Sequence, residues 1–191
     1  MAIPGPRTAN HAYRVVAIAF SVLAFGCATS TPPETVGHVD VERYMGVWYE
    51  IAKFPVAFER GLVGVTAEYT LEGDGRIRVK NRGFKKSFDG KTSLIEGYAT
   101  VPNPEEPGKL RIKFDPFPVR YFKADYWIVD LDQDYGYAVV SSPSRKMLWI
   151  LSRTPSMRES QYNEIVERLA QRGFRVARLE KMPQQIGHSK R

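Results

Sequence analysis

The sequence predicts an all-β protein: an eight-stranded up-and-down antiparallel β-barrel with one C-terminal helix packed outside. Two observations predict this fold. From Tyr44 onward, eight short runs alternate apolar with polar residues, and Gly, Pro, Asn and Asp separate the runs. A single helical pattern follows the last run. Because eight strands closed on themselves leave no free sheet edge and enclose room for one small ligand, the pattern favours a barrel.

The predicted strands are bounded by their turns. The sequence "EGDGR", residues 72–76, is typical of a tight hairpin turn. The sequences "PNPEEPG", residues 102–108, and "DLDQDYG", residues 130–136, are typical of loops. The strands are therefore expected at about residues 46–54, 64–72, 75–84, 92–102, 108–114, 121–130, 135–142 and 146–153.

The alternation also predicts which residues share a face of each strand. In the second run Val65, Ala67 and Tyr69 share one side, and in the fifth Leu110, Ile112 and Phe114 do. In the sixth run the period of two groups Trp127, Val129 and Leu131 against Tyr126, Ile128 and Asp130.

The C-terminal helix has a start signal, an apolar stripe and a stop signal. The sequence "SMRE", residues 156–159, fits a capping box. Apolar residues then recur at helical spacing: Tyr162, Ile165, Val166 and Leu169. Gly173 is expected to end the helix. Residues 174–180 are expected to add a short terminal strand.

The N-terminal part is expected to lie outside the barrel. Arg7 and Arg14 precede an apolar run, Val15 to Phe25, that is shorter than the roughly 17–25 residues a membrane-spanning helix needs. A basic segment before a short apolar run is typical of a secretory signal, here residues 1–26. Residues 27–43, rich in Ser, Thr and Pro, are expected to form a tether. The barrel domain would cover 44–185, and residues 186–191 a loose tail.

Cys27 is the only cysteine, so no internal disulfide can form. The sequence "LAFGC" resembles the lipobox of bacterial lipoproteins, which implies cleavage before Cys27 and lipid on its sulfur and new amine. Ala28 follows in place of Asp, and this resemblance implies the outer membrane. Several acyl chains give stable anchoring to a membrane. The alternative is an unmodified free thiol.

The charge pattern gives no support for nucleic-acid binding. The formal net charge is +7, but acids and bases are interspersed, and no nucleic-acid-binding motif is present. Arg76, Arg78, Lys80 and Arg82 form one basic run, which alternates with other residues as the solvated face of a strand would. A stripe that faces a membrane is the alternative interpretation.

Three segments carry a resemblance to a family: "YMGVWYEIAKFPVAFERG", "YWIVDLDQDYGYAVV" and "LWILSRTP". They resemble the three conserved blocks of the lipocalins, and most of all the bacterial outer-membrane and apolipoprotein D-like branches. The resemblance covers about residues 44–185. Carried over by position, Gly46 and Trp48 match the first block and Arg153 the third. It implies that Arg153 lies across the Trp48 indole and closes the narrow end of the barrel, as a cation over an aromatic face can.

The resemblance also implies a ligand: a fatty acid or lysophospholipid, bound with its tail inside and its head at the open end. A mostly apolar pocket with a few polar groups is the usual site for such a ligand. The loop from Phe54 to Gly61 is expected beside the mouth, where Phe54, Phe58 and Arg60 would meet a lipid or the membrane. The expected ligand-binding residues are Phe54, Tyr69, Ile77, Val79, Tyr98, Ile112, Phe114, Tyr121, Trp127 and Val129.

Other functions stay open at this point. The barrel could be filled and serve as a structural or protein-binding lipoprotein, and the sequence leaves a homodimer open. An enzyme has little support, because His11, His38 and His188 all lie outside the predicted strands and no carboxylate pair is evident around Glu96 or Asp130. Haem carriage would need a Tyr ligand in place of His. We therefore expect a non-enzymatic binding protein with no cofactor and no metal.

Overall fold

The computed structural model describes Met1, residues 31–115 and residues 123–185. The predicted signal segment beyond Met1, Cys27, Tyr121 and the tail 186–191 lie outside the described residues. The described residues form two helices, α1 (Val41–Tyr44) and α2 (Glu159–Gln171), and 3₁₀ turns cover Ala57–Glu59 and Val176–Arg178. The strands are β1 (Gly46–Lys53), β2 (Leu62–Leu71), β3 (Ile77–Lys85), β4 (Thr92–Thr100), β5 (Lys109–Phe114), β6 (Lys123–Leu131), β7 (Tyr137–Ser141), β8 (Leu148–Ser152) and β9 (Glu180–Lys181).

The strands form a closed antiparallel barrel. Each strand from β2 to β7 pairs with the next in the chain, and β1 pairs with both β8 and β2. The two-residue strand β9 adds to the end of β1 through Ala52 and Lys53. The predicted eight-stranded barrel is therefore confirmed. The extra terminal strand is Glu180–Lys181, which overlaps the predicted 174–180 only at Glu180, because Val176–Arg178 forms a 3₁₀ turn. No helix among the described residues is both long and apolar enough to cross a membrane.

Helix α2 packs on the outside of the barrel through the predicted apolar stripe. Ile165 and Leu169 are fully buried there, and Tyr162 and Val166 pack at the edge of the same cluster. Gly173, with φ of +79°, follows the last turn as expected. The expected capping box is not formed.

The helix begins at Glu159, three residues after Ser156. Its N-cap position is Arg158, which makes no side-chain capping bond. The Ser156 carbonyl instead accepts a hydrogen bond from the Thr154 hydroxyl at 2.7 Å, in the turn that leads into the helix. The sequence signal therefore marked the approach to the helix and not its first residue.

The described part of the expected tether lies against the barrel. The backbone N–H of Val36 donates to the Ile128 carbonyl at 2.9 Å. The Asp40 N–H donates to the Tyr135 hydroxyl at 2.7 Å, and Val39 is buried in the core under helix α1. These contacts make residues 36–43 a plug beside the narrow end, which the Ser, Thr and Pro content of the segment did not predict.

Three register shifts break the period of two that the sequence analysis assumed, and one of them lies in the pairing of β2 with β3, between Val63 and Thr66. The pairing of β6 with β7 shifts register between Ile128 and Asp130, so Val129 and Asp130 both lie outside and Leu131 returns to the interior. The pairing of β1 with β8 shifts between Glu50 and Ala52. A bulge places two residues opposite one, so every inward or outward assignment beyond it is inverted.

Candidate functional site: an apolar cavity above a closed floor

The narrow end of the barrel is closed by Trp48 and Arg153. The Trp48 ring is fully buried, and the Arg153 guanidinium carbon lies 3.8 Å from its centroid. The Trp48 indole N–H donates to the Tyr44 carbonyl at 2.9 Å. Gly46 has a φ of +94°, a backbone conformation that L side chains rarely adopt, and a Cβ there would lie in ordinary contact with Arg153 Nη1 at 3.4 Å.

Arg153 also ties three backbone segments together at this end. Its guanidinium donates to the carbonyls of Arg43 at 2.6 Å, Val47 at 3.1 Å and Tyr135 at 3.3 Å. These carbonyls belong to α1, β1 and the loop before β7. The guanidinium is therefore both the lid over the indole and the donor for carbonyls that the barrel ladder leaves free. This is the geometry that the family resemblance implied for Gly46, Trp48 and Arg153.

Above the floor lies a chain of three tyrosine hydroxyls. Tyr69 donates to the Tyr126 hydroxyl at 2.9 Å, and the hydroxyls of Tyr126 and Tyr44 are 2.8 Å apart. Burial raises the pKa of all three phenols, so they stay protonated at neutral pH. The three hydroxyls bond to one another, so the base of the cavity above them is mostly apolar.

The cavity opens above the tyrosines, between the inner faces of the strands and the β1–β2 loop. Its volume is about 130 Å³, roughly ten times what one water needs. Its wall is aromatic and aliphatic with a few polar groups, as in sites for small lipophilic ligands. The lining residues are Glu50, Phe58, Glu59, Val65, Thr66, Ala67, Tyr69, Asn81, Ile112, Phe114, Ala124, Asp125, Tyr126, Val140, Met147, Trp149 and Leu151.

Three of the ten residues expected to bind ligand line this cavity: Tyr69, Ile112 and Phe114. Ile77 and Val79 point inward but belong to the packed core around Trp48 and Tyr69. Tyr121 lies outside the described residues.

The other four expected ligand-binding residues lie on the outside of the barrel. Trp127, Val129 and Phe54 pack in the cluster beneath helix α2. Tyr98 lies under Arg76 and Arg78, whose guanidinium carbons are 4.4 and 5.2 Å from its ring centroid. These four placements correct the sequence-based expectation.

Their error has a common physical cause for β6 and for the end of β1. Helix α2 covers the outer face there, so both faces of the strand are apolar and alternation cannot distinguish them. Phe54 is fully buried under the Arg178 guanidinium and does not line the cavity, so it is not available to a ligand at the mouth. The outer position of Tyr98 has another cause, since its ring packs against the guanidinium groups of Arg76 and Arg78 on a basic strand face. That face, with Arg76 bonded to Asp74 and Arg78 to Glu72, lies on the outside of the barrel as the solvated-face interpretation predicted.

Sequence reasoning missed the most polar part of the cavity wall. Glu50 and Glu59 are 3% and 9% exposed, and both carboxyls face the cavity. The Trp149 indole N–H lies 3.3 and 3.4 Å from the two Glu59 oxygens. Glu50 follows Trp48 by two residues on β1, so strand alternation places both side chains on the inner face. Nothing in the sequence marked Glu59, because it lies in a 3₁₀ turn beside exposed Phe58.

The two carboxyls influence each other. Burial raises the pKa of Glu50 well above its ordinary value of 4.5, and the nearby Glu59 charge raises it further. Burial also raises the pKa of Glu59, against the opposing effects of the Lys53 charge and the Trp149 hydrogen bond. Since the charge of Glu59 opposes ionisation of Glu50, the two carboxyls titrate as a pair. The barrel therefore does contain a carboxyl pair, which the sequence did not reveal.

Among the described residues, no cluster of three or more His, Cys, Asp or Glu side chains is arranged to hold a metal ion. Asp130, one of the carboxylates considered as a base, lies outside the barrel and accepts from Arg168 at 3.1 Å. The candidate site is thus the cavity itself, with the carboxyl pair on one wall.

Comparison with known proteins gives one consistent result. The sequence model of a lipocalin-like domain matches residues 39–184. The temperature-induced lipocalin-1 of Arabidopsis thaliana is 43% identical over 79% of this chain and 82% of its own length. The outer membrane lipoprotein Blc of Vibrio cholerae is 38% identical over 86% of this chain and 95% of its own.

Solved structures agree at the level of the fold. Insecticyanin from the tobacco hornworm Manduca sexta superposes with a TM-score of 0.62 over 81% of this chain and 85% of its own, at 20% identity. At that identity the likeness concerns the barrel alone.

Proposed function

Because this chain belongs to the lipocalin family, whose members bind small hydrophobic ligands, we propose that it binds a single-chain amphiphile in its cavity. The ligand would be a fatty acid or a lysophospholipid, held with its chain inside the barrel. The protein would store or transport that lipid in the cell envelope. The observation that carries the proposal is the enclosed aromatic cavity above a sealed floor.

The dimensions and chemistry of the cavity support this ligand class. The floor at Trp48 closes one end, so a chain can enter only from the opposite end of the barrel. Phe114 and Trp149 offer apolar area along the wall, as an acyl chain requires. Phe58 is 66% exposed and also lines the cavity, so an apolar side chain stands where a ligand would enter.

We further propose that the protein is anchored to the outer membrane by lipid on Cys27. The lipobox-like sequence supports it, as does the similarity to relatives named outer membrane lipoproteins. The lipidated segment would then leave the barrel beside α1, where residues 36–43 contact it. Relatives from plants and mammals also match, so the anchor is a proposal about this chain and not a property of the whole family.

Binding is proposed in preference to catalysis, a filled structural barrel or haem carriage. A filled barrel would leave no room for a ligand, whereas the cavity described above holds about 130 Å³ of open space. A hydrolase would need an activated nucleophile within reach of the carboxyl pair. Around Glu50 and Glu59 the described neighbours are Lys53 and Trp149, and neither is arranged as a nucleophile with a base.

Titration with a fluorescent fatty acid tests the proposal. We expect saturable binding to the parent, and a loss of about tenfold or more in affinity for Phe114→Glu, which places a charge in the cavity. The matched control is Trp127→Glu, because Trp127 lies on the outer face near Lys109 and a charge there faces away from the cavity. Absence of binding to the folded parent would favour the filled barrel. Equal losses in both variants would contradict the assignment of the cavity.

A further inference from the structure

Two polar atoms on the cavity wall lack hydrogen-bond partners. Among the described residues, three buried side-chain nitrogen or oxygen atoms have no partner within the protein. Two of them, Glu50 Oε1 and Asn81 Oδ1, belong to residues that line this one cavity. Because leaving a buried polar atom unpaired costs free energy, native structures rarely do so away from a functional site. Their concentration here indicates that a partner enters the cavity from outside the chain.

The environment of Glu50 determines what that partner must be. Glu50 is only 3% exposed, and β1 holds its side chain on the inner wall. The neighbouring Glu59 accepts the Trp149 indole N–H and faces the same space. Lys53, whose charge also acts on both carboxyls, does not line the cavity, and its ammonium lies 3.9 Å from Glu180. This wall therefore presents acceptor oxygens to the cavity, and no Lys or Arg lies beside them among the described lining residues.

The remaining charges on the cavity wall do not reverse this pattern. Of the described lining residues, the charged ones are Glu50, Glu59 and Asp125, and none is Lys or Arg. Asp125 is exposed and its carboxylate lies 3.6 Å from Arg111 on the outside of the barrel. A ligand carboxylate brought beside Glu50 would thus meet a second negative charge in a low-dielectric site, which is unfavourable. A hydroxyl, an amide N–H or a protonated amine would supply the missing donor.

We propose that Glu50 and Glu59 form a hydrogen-bond acceptor site inside the cavity that anchors a hydroxyl, N–H or ammonium group of the ligand and disfavours an ionised carboxylate. This inference rests on the proposed lipid-binding function, because it assigns the ligand class for the same cavity. In this complex the donor group of the ligand bonds to the unpartnered Glu50 Oε1, no proton leaves either carboxyl, and the hydrocarbon chain occupies the aromatic part of the wall. An ionised fatty acid would have to keep its head outside, at the mouth.

The test compares ligands that differ only in their head group. Dodecanol, dodecylamine and laurate share one chain length, and each would compete against a fluorescent probe bound to the full chain carrying Cys27→Ala at neutral pH. We expect the alcohol and the amine to bind about tenfold or more tightly than laurate, the difference that one hydrogen bond to a carboxylate typically makes. Glu50→Gln and Glu59→Gln should each reduce the advantage of the amine about tenfold and strengthen laurate binding.

The matched control is Glu167→Gln, on the exposed face of helix α2, which should change none of the three affinities. Equal binding of all three ligands to the parent would overturn the anchor, and water would then be the partner of Glu50. That result would leave the proposed lipid binding intact. If none of the three displaced the probe, the proposed function would fail as well. Since the ranking on the parent alone decides the matter, a variant that does not fold leaves the test valid.

Discussion

The closed floor of the barrel makes a quantitative prediction about Trp48 and Arg153. We consider Trp48→Leu, which removes the indole but keeps an apolar side chain, and Arg153→Met, which keeps the alkyl stem but removes the guanidinium. The indole is fully buried and the guanidinium carbon is 3.8 Å from its centroid. Trp48→Leu therefore removes the indole from the contact, and Arg153→Met removes the guanidinium. Each variant keeps an apolar side chain at its position.

The magnitudes follow from these contacts. Complete truncation of a buried Trp costs about 3–5 kcal/mol, so replacement by Leu should cost about 2–3 kcal/mol. Arg153→Met loses three bonds to carbonyls, at about 0.5–1.5 kcal/mol each. Partial solvation of those carbonyls brings the expected total down to about 2–3 kcal/mol. The coupling between the two residues should equal the cation–π contact, about 0.5–2 kcal/mol.

Urea unfolding followed by far-ultraviolet circular dichroism measures all four members of this double-mutant cycle. The control cycle combines Trp48→Leu with Arg172→Met, because Arg172 donates to the Glu34 carbonyl on the outer surface and does not touch the indole. That control pair should add within about 0.3–0.5 kcal/mol. A coupling of the same small size between Trp48 and Arg153 would refute the reasoning, since the two would then stabilise the floor independently.

Two further predictions concern the anchor and the carboxyl pair. Mass spectrometry of the mature chain should show lipid on Cys27, and Cys27→Ala should move the protein from the membrane fraction to the soluble one; an unmodified thiol would contradict the anchor. Glu50→Gln should flatten the pH dependence of stability. The folded pKa of Glu50 is raised above 4.5, so the native state binds more protons than the unfolded state and stability falls as pH rises through and above that value. Gln does not titrate, so the stability of the variant relative to the parent should increase upward from about pH 4.5, by at most about 1.4 kcal/mol per pH unit. Thermal melts across that range measure it, and parallel curves for the two proteins would count against the pair.

The barrel could be predicted because its signals are local and repeated. Turn sequences such as residues 72–76 fix where strands end, and the pairing of each strand with the next needs no long-range information. The buried face of helix α2 could also be predicted, because a helix with one apolar stripe and otherwise polar residues packs through that stripe. Trp48 and Arg153 were identified by resemblance, and their contact is the one long-range feature of the site that the sequence indicated.

The cavity wall was harder because the sidedness of a strand depends on what covers it. Tyr126 lines the cavity and Trp127 does not, yet both are aromatic and adjacent, and only the position of helix α2 decides between them. The bulge at Val129 adds a second uncertainty, because it moves Asp130 to the same side as Val129. No residue type in that strand signals the bulge, so strict alternation placed Leu131 on the same face as Trp127 and Val129, whereas the structure places it on the opposite, inner face.

The β1–β2 loop inverts the usual relation between polarity and burial. Phe58 is 66% exposed and its neighbour Glu59 is 9% exposed, whereas polarity alone would bury the Phe and expose the Glu. The inversion has a local compensation, since Glu59 accepts the Trp149 N–H. Stability alone does not explain it, because burying the Phe58 ring instead would be favourable. A ligand with an apolar chain at the entrance and a donor group inside the cavity explains both the exposed Phe58 and the buried Glu59. Such departures from local rules are expected where a protein binds its ligand.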